Sequence, residues 1–461
     1  MRSNVGRVGE RLLPVDPAIR GVAEQLYSLV ADAPIISPHG HVPARMLADN
    51  HAFENAAELF VTKDHYITRM LHAAGVSLSE LSGAEPRSTW RHLAENWHRF
   101  AGTASGYWLE TELSDVLGIT IPICAETADE IYDAVDVVLA SPEFRPRELF
   151  RRFGVSVLAT TDDPLDDLSA HAQLREADLG GHVLPTFRPD IYLDPDAASF
   201  GSAVDALLAT TAEPATFSGY LAALENRREH FVRHGGVSTD HGVEEPYTLD
   251  IDADEAAALF QRVMRREASA ADHRAFRGHM LLQMARMSVD DGLVMTVHAG
   301  IHRNHSSATF SAFGPDTGHD IPVPTTFTRG MKPLLERYGL EKNLHLVLFT
   351  VDETTFSREL APLAGFYPSV YVGAPWWFLD APDAILRFRS AVTETAGFYR
   401  TSGFIDDTRA FLSIPARHDV ARRADVAYLS RLVMERRITL ELAERIARDL
   451  VDAIPREVFK L

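Results

Sequence analysis

His39 and His41 form a His-x-His pair near the start of the chain, directly after a short apolar stretch. Residues two apart on an extended segment point to the same side, so both imidazoles can face one metal ion. The pair is not specific by itself, because the chain has 20 histidines and chance pairs are expected. Loop histidines that bind no ligand are therefore the competing interpretation.

Asp407 and Arg409 lie near the other end of the chain, in the segment Phe404-Ile405-Asp406-Asp407-Thr408-Arg409. A carboxylate can complete a metal site with two imidazoles, and a guanidinium nearby can clamp an anionic group of a substrate. A surface ion pair between the two side chains is the alternative. If the first and last strands of a barrel are neighbours, His39, His41 and Asp407 meet at one rim.

His298 ends another apolar run, Leu293–Val297, and the small-residue turn Ala299-Gly300 follows it. Glycine lets the backbone approach a ligand closely, although a buried core histidine is the usual alternative. The run Leu344–Phe349 ends in Thr350, and no predicted strand ends in lysine. A two-metal centre bridged by a modified lysine is therefore disfavoured, and one metal ion is expected.

Eight short apolar runs recur along the chain, and helical patterns fill most of the gaps between them. Near-continuous apolar strands that alternate with helices indicate a parallel sheet covered on both faces, and eight of them predict a closed (β/α)8 TIM-type barrel. Polar groups follow the runs, which places them on the rim where such barrels carry active sites. The predicted strands are Pro34–Ser37, Val155–Thr160, His182–Thr186, Gly236–Ser238, Leu293–Val297, Leu344–Phe349, Val370–Gly373 and Gly403–Ile405.

One barrel domain is predicted over residues 1–461, with a helical insertion at 51–150 between the first and second strands. This interval is far too long for one crossover helix, and it contains amphipathic stretches such as Ala128–Leu139. We expect the insertion to form a lid over the rim. Tyr66, at the start of a predicted helix in this region, is a candidate lid residue that reaches the metal site.

The composition disfavours several classes of partner. The 65 acidic and 45 basic residues give a formal charge of −20, which argues against nucleic acid or an anionic membrane. A single cysteine, Cys124, excludes an intramolecular disulfide and a Cys-rich zinc site. The N-terminus lacks the apolar core of a signal peptide, and no apolar run is long enough to span a bilayer. We therefore expect a cytoplasmic enzyme.

Together, the motifs resemble those of the uronate (glucuronate) isomerase family of the amidohydrolase superfamily, in the same order over nearly the whole chain. This family interconverts D-glucuronate with D-fructuronate and D-galacturonate with D-tagaturonate, using one metal ion. The motifs are Pro34-Ile35-Ile36 before His39-Gly40-His41, Asp64-His65-Tyr66, Thr160-Thr161-Asp162-Asp163-Pro164, Leu184-Pro185-Thr186-Phe187-Arg188-Pro189-Asp190, Asp240-His241-Gly242, His298 with Arg303-Asn304, Gly314-Pro315-Asp316-Thr317-Gly318, Trp376-Trp377-Phe378, and Asp407-Thr408-Arg409-Ala410-Phe411-Leu412-Ser413.

The resemblance implies a set of site residues and a reaction. The implied metal ligands are His39, His41 and Asp407, with His298 as a ligand or close neighbour; the implied catalytic residues are Tyr66, Asp407 and Arg409; and the implied substrate-binding residues are Arg188, Asp240, Arg303 and Trp376. We expect one divalent metal ion, with zinc as the first candidate, although the same ligands suit manganese, iron or cobalt. The resemblance further implies a homo-oligomer that moves a proton between C2 and C1 of a hexuronate through an enediol.

Two other functions remain open at this stage. Because fold does not determine function, a mononuclear metal-dependent hydrolase, or an isomerase of another sugar acid or lactone, is the main alternative. The sequence departs from the family pattern at two strand ends, Ser37-Pro38 and Thr296-Val297-His298. These departures favour the main alternative. A non-catalytic sugar-acid sensor that has kept the pocket is the second alternative.

Overall fold

The computed structural model describes residues 11–82 and 85–461. The strands are β1 Ile35–Ser37, β2 Val155–Ala159, β3 His182–Leu184, β4 Thr186–Phe187, β5 Ser238–Val243, β6 Val294–Ala299, β7 Ile301–His302, β8 Ile321–Pro322, β9 Leu346–Thr350 and β10 Val370–Val372.

The helices cover the sheet and fill the long interval after β1. They are α1 Pro17–Ser28, α2 Ala44–Asp49, α3 His65–Ala73, α4 Leu78–Ser82, α5 Pro86–Glu95, α6 Ala104–Thr111, α7 Ala128–Leu139, α8 Pro146–Arg152, α9 Ser169–Arg175, α10 Asp190–Leu193, α11 Phe200–Thr211, α12 Phe217–Arg233, α13 Ala253–Met264, α14 Ala270–Asp291, α15 Ser307–Phe313, α16 Lys332–Tyr338, α17 Ala361–Phe366, α18 Pro382–Ala396, α19 Ile414–Met434, α20 Leu440–Val451 and α21 Ala453–Phe459. Single π-helical turns occupy Glu58–Thr62, Glu112–Val116 and Phe356–Leu360.

The parallel strands follow the barrel order β1, β2, β3 with β4, β5, β6, β9 and β10. β3 and β4 share one position in this order, and Pro185, which has no amide hydrogen to donate, separates them. A single bridge between Asp162 and Phe187 continues the pairing past the interruption. The expected α/β arrangement of the TIM type is thus confirmed.

The predicted eighth strand, Gly403–Ile405, is wrong as a hydrogen-bonded strand. This segment has no regular secondary structure, and only isolated contacts link the eighth position to its neighbours: a bridge from Val372 to Thr401, and a hydrogen bond from the His41 amide to the Thr408 carbonyl. Gly403 has a φ of +74°, which interrupts an extended ladder. The chain passes through the eighth position, but the hydrogen bonding of the barrel is open there.

The fourth predicted strand lies further along the chain than expected. The strand is β5, which begins at Ser238, the residue where the prediction ended. Asp240 therefore lies within the strand and not after it. Asp240 faces the site, where it contacts His298 and Arg188, and its polar neighbours in β5 break the apolar periodicity on which the prediction relied.

Among the described residues between β1 and β2, only helices and loops occur, which confirms the helical insertion. Asp64 caps the N-terminus of α3, because its carboxylate accepts hydrogen bonds from the amides of Tyr66 and Ile67. Buried insertion residues such as Trp90 pack in the same cluster as Ile35 of β1. The insertion thus shares a hydrophobic core with the barrel, while its limits at 51 and 150 as a subdomain stay a prediction.

α19 buries an unusual number of charged side chains. Arg417, His418 and Arg422 are all buried within its first three turns. Buried charges are costly unless they are paired, and Asp425 of this helix does form a buried ion pair with Arg389 of α18.

No helix in residues 11–82 and 85–461 combines the length and apolar character needed to cross a bilayer.

Candidate metal and substrate site

Two histidines after β1 converge on the aspartate of the eighth barrel position. The Nε2 atoms of His39 and His41 lie 3.1 and 3.0 Å from the same Oδ1 atom of Asp407. Ligand atoms that share one tetrahedral ion at about 2.0–2.2 Å lie roughly 3.3–3.5 Å from one another. The spacing therefore approaches that of three ligands around one cation.

His298 of β6 brings a further nitrogen to this cluster. Potential ligand atoms of His39, His298 and Asp407 all lie within 4.8 Å of one another. The Nε2 atom of His298 is buried and makes no hydrogen bond within the described structure. Because a buried polar atom without a partner is unfavourable, and because imidazole and carboxylate are ligands of divalent transition metals, these residues fit a metal ion.

Electrostatics favour the protonation states that metal binding requires at Asp407 and His41, but not at His39. Burial opposes ionisation of Asp407, but His41 and His39 outweigh it and hold the pKa of this carboxyl well below its usual range. Burial lowers the pKa of the His41 imidazole, which favours the neutral ring. For His39, burial also lowers the pKa, but the nearby Asp240 and Asp407 carboxylates reverse the net effect and raise it.

Asp240 lies beneath the ligands and is fully buried. Its Oδ1 is 2.5 Å from Nδ1 of His298, and its Oδ2 is 3.2 Å from Nη1 of Arg188. Burial opposes its ionisation, but His298 and His39 outweigh that effect and hold the pKa of Asp240 well below its usual range. A carboxylate on the second nitrogen of a ligand histidine fixes the orientation of the ring. The predicted contact of Asp240 with substrate stays a prediction.

A cavity of about 910 Å³ opens above these residues, between the barrel rim, the insertion and the β7–β8 hairpin. Seven of the predicted site residues line this cavity, whereas His39, His298 and Asp240 are buried below it. The predicted residues that line the cavity are His41, Tyr66, Arg188, Arg303, Trp376, Asp407 and Arg409.

Arg188 is the most deeply placed of the three predicted substrate arginines. Its side chain is 24% exposed, and it pairs with Asp190 at 2.8 Å as well as with Asp240. A guanidinium has five N–H donors, so these two carboxylates leave donors for a ligand in the cavity.

Arg409 and Arg303 stand at the cavity mouth and pair with the β7–β8 hairpin. Nη1 of Arg409 is 3.1 Å from Oδ2 of Asp316, and Nη1 of Arg303 is 2.8 Å from Oδ2 of Asp320. The Arg303 guanidinium also lies 4.9 Å from the ring centroid of Trp377. Both arginines are 45% exposed, so a negatively charged substrate can reach them from solvent.

Aromatic rings form the wall beside the ligands. Trp376 packs edge-on against His298 at a centroid distance of 4.6 Å, and its indole Nε1 is buried without a hydrogen-bond partner in the described chain. Phe349 stacks on the His298 ring at a centroid distance of 4.4 Å. The sequence prediction missed Phe349, because it appeared only as the last apolar residue of a strand.

Tyr66 lines the cavity from the side of the insertion. Its ring stacks on His65 at 4.6 Å and meets Trp108 edge-on at 5.7 Å. Burial raises the pKa of the Tyr66 phenol, and Arg417 acts against this shift. His65 also lines the cavity, and its Nε2 atom is buried without a hydrogen-bond partner in the described structure. From this motif, only Tyr66 was predicted as a site residue.

The fold and the site define a class: α/β-barrel proteins with a candidate His/Asp metal site at the base of a cavity lined by arginines. The model of the glucuronate isomerase family matches residues 18–459, and the chain belongs to this family.

Proteins of similar sequence and structure match nearly the full length of the chain. A uronate isomerase of Corynebacterium efficiens is 48% identical over 460 residues, which cover 98% of each chain. The crystal structure of glucuronate isomerase from Caulobacter crescentus is 45% identical, with a TM-score of 0.96 over 98% of this chain and 96% of that one. The uronate isomerase structure from Thermotoga maritima is 29% identical, with a TM-score of 0.93 over 98% and 99% of the two chains.

Proposed function

We propose that this protein is a metal-dependent uronate isomerase that interconverts D-glucuronate with D-fructuronate and D-galacturonate with D-tagaturonate. The observation that carries the proposal is the convergence of His39, His298 and Asp407 at the base of a cavity whose walls include the three predicted arginines Arg188, Arg303 and Arg409. Relatives at 45–48% identity that bear the name of this activity support it.

The metal ion would be held by His39, His41 and Asp407, with His298 as a further ligand or close neighbour. A divalent cation bound there supplies electrostatic stabilisation of the negative charge that develops on the substrate oxygens. Zinc is our first candidate for this ion.

The substrate carboxylate would bind to one or more of Arg188, Arg303 and Arg409. Arginine matches a planar carboxylate with two parallel hydrogen bonds, and all three guanidiniums line the cavity. Trp376 would pack against the sugar chain and donate its unpaired Nε1–H to a hydroxyl group.

The reaction would follow ring opening and proceed by proton transfer between carbons. Asp407, which is ionised, would take the proton of the C2 hydroxyl and pass it to the C1 oxygen, and Arg409 would stabilise the enediol. Tyr66 would carry the carbon-bound proton: its oxygen takes the proton from C2, and the electron pair of that C–H bond forms the C1–C2 double bond. The phenol, whose proton exchanges with solvent, then delivers a proton to C1, which yields the ketose.

The test is an NMR assay of the metal-analysed protein with D-glucuronate and D-galacturonate in deuterated water. We expect a keto product, deuterium at the exchanging carbon, and loss of turnover in His39→Ala. His171→Ala is the control, because His171 is a buried histidine outside the cavity and its loss should leave the metal content unchanged. Full metal occupancy without turnover would overturn the proposal, and hydrolysis of a uronolactone in its place would support the alternative hydrolase.

The Tyr66 role has its own test. Tyr66→Phe should lower kcat by about 10²–10⁴-fold and remove deuterium incorporation at C2. Unchanged incorporation would rule out this role.

We further propose that the protein acts as a homo-oligomer in the cytoplasm. α15 carries Phe310 and Phe313, which are 46% and 41% exposed, and no residue of this helix is buried. A second copy of the chain would cover such an apolar face. Light scattering during gel filtration would measure the mass, and a monomer at micromolar concentration would contradict the oligomer.

A further inference from the structure

Arg417 is a buried cation at the edge of the substrate cavity. It belongs to the first turn of α19, its side chain is 1% exposed, and it contributes to the cavity wall. Taking a guanidinium out of water is costly unless the structure compensates it, so its position calls for a physical reason.

Hydrogen bonds fix the plane of the guanidinium. Nη1 donates to Oδ2 of Asp380 at 2.7 Å and to the Asp406 carbonyl at 3.4 Å, while Nε donates to Oγ of Ser413 at 3.0 Å. Burial raises the pKa of Asp380 to about 7, against the opposing effect of Arg417. Near neutral pH this carboxyl therefore compensates the arginine only in part.

Two aromatic rings of the insertion enclose the same guanidinium. Its Cζ lies 3.6 Å from the ring centroid of Trp108 and 5.4 Å from that of Tyr66, and the two rings meet nearly at right angles. A cation over an aromatic face is attracted to the ring electrons. The attraction grows when the phenol is ionised, because negative charge then spreads into the ring.

The other charged groups around Tyr66 mostly oppose its ionisation. The carboxylates that raise its pKa are Asp407, Asp380 and Asp64. On its own helix, Arg69 stacks over Phe378 at 5.0 Å, and His65, whose pKa burial lowers, stacks on Tyr66 itself. Arg69, which is half-buried, also interacts favourably with an ionised Tyr66, and Arg417 is the fully buried cation placed to favour that charge.

We propose that Arg417 is a positioning residue for Tyr66, which holds the phenol ring against the cavity and stabilises the phenolate that accepts the proton from C2. The proposal rests on the isomerase function proposed above. In each turnover the phenolate oxygen gains the C2 proton and the phenol delivers a proton to C1, so Tyr66 ends in its starting state and no further reactant is required.

The test is a double-mutant cycle between Arg417 and Tyr66. The variant Arg417→Gln with Asp380→Asn removes both charges of the buried pair and keeps groups that can hydrogen-bond. In the enzyme that keeps Tyr66, we expect kcat to fall by about tenfold or more. KM should change little, since the interactions that bind the substrate before the reaction are retained. We also expect a larger isotope effect with 2-deutero-glucuronate and a shift of the acidic limb of the pH profile to higher pH, because the acting phenol must be deprotonated and its pKa rises without Arg417. In the Tyr66→Phe background, the same change should alter kcat by less than about twofold.

A matched control lies in the same helix layer. Arg389 and Asp425 form another buried pair, 2.5 Å apart, and neither residue lines the cavity. Arg389→Gln with Asp425→Asn should leave the isotope effect and the pH profile unchanged, whatever its cost in stability. If Arg417→Gln with Asp380→Asn does not fold, Arg417→Lys, which keeps the charge but loses the planar group, enters the same cycle.

The outcomes separate this proposal from the function on which it rests. Equal loss of kcat in the Tyr66 and Tyr66→Phe enzymes would show that Arg417 does not act through Tyr66 and would overturn the proposal alone. Absence of uronate turnover in the metal-loaded wild-type protein would overturn both.

Discussion

At the scale of single residues, Asp240 organises the site from below. Its two oxygens contact His298 and Arg188, one of which belongs to the metal cluster and the other to the proposed anion site. One buried carboxylate therefore couples the orientation of a metal ligand to that of a substrate arginine.

This arrangement predicts that Asp240→Asn weakens metal binding. An amide is a poorer partner for the His298 ring, and we expect the affinity for zinc to fall by about 10–100-fold. Titration against a competing chelator measures this affinity. Asp190→Asn is the matched control, because Asp190 contacts Arg188 but has no described contact with the histidines. Equal zinc affinities for Asp240→Asn and wild type would contradict the prediction.

At the scale of elements, the β7–β8 hairpin depends on Gly300. This residue has a φ of +93°, and a Cβ atom there would lie 2.2 Å from Oγ1 of Thr325. The hairpin brings Arg303 and Asp316 to the cavity mouth, so its geometry affects the site as well as the stability.

We predict that Gly300→Ala lowers the free energy of unfolding by about 2–4 kcal/mol, because strain and steric overlap add. Chemical denaturation measures the change. Gly397→Ala separates the two causes, since Gly397 has a φ of +77° but nothing within 4 Å of an added Cβ. If both variants lose the same stability, the overlap with Thr325 contributes nothing.

A buried carboxyl group joins the end of β2 to the start of β4. Oδ2 of Asp162 accepts hydrogen bonds from Thr160 Oγ1 at 2.6 Å and from the Thr186 amide at 3.2 Å. Burial raises the pKa of Asp162 to about 7, whereas burial lowers the pKa of its neighbour His171 to about 4.

The two shifts give opposite pH dependences of stability. The raised pKa of Asp162 contributes stability that is complete below pH of about 3.9 and is lost as the pH rises through 7, up to about 4 kcal/mol. The lowered pKa of His171 contributes stability that is present above pH of about 6.5 and is lost as the pH falls through 4.

Asp162→Asn should therefore become more stable relative to wild type as the pH rises from 4.5 to 7.5. Urea unfolding of both proteins across this range measures the difference. A difference independent of pH would show that Asp162 has an ordinary pKa in the folded protein.

At the scale of the whole molecule, the metal cluster joins distant parts of the chain. His39 and Asp407 are separated by most of the sequence, and His298 comes from β6. A ligand that binds only the folded state stabilises it by mass action, by about 4 kcal/mol at a concentration 1,000 times Kd.

Removal of the metal by a chelator should therefore lower the Tm of the wild-type protein by several degrees. Differential scanning fluorimetry with and without excess zinc measures the shift. His39→Ala should have a lower Tm that no longer responds to the chelator, while His171→Ala should still respond. A wild-type Tm that the chelator leaves unchanged would contradict a structural contribution of the metal.

The sequence by itself determined the type of fold and most of the candidate site. Apolar runs ending in polar residues predicted the order of the parallel strands, because burial on both faces demands such runs. His39, His41 and Asp407 could be placed together because the first and last positions of a barrel are neighbours.

Only the tertiary structure decided how these parts meet. Gly403–Ile405 follows the apolar pattern of a strand, yet the positive φ at Gly403 and the contacts of its neighbours prevent a ladder, which local periodicity cannot reveal. The burial of Asp240 beneath the ligands and the enclosure of Arg417 by Tyr66 and Trp108 were likewise not predictable. Each depends on side chains from separate elements that share one small volume, whereas sequence patterns report which face is apolar and not which polar groups will meet.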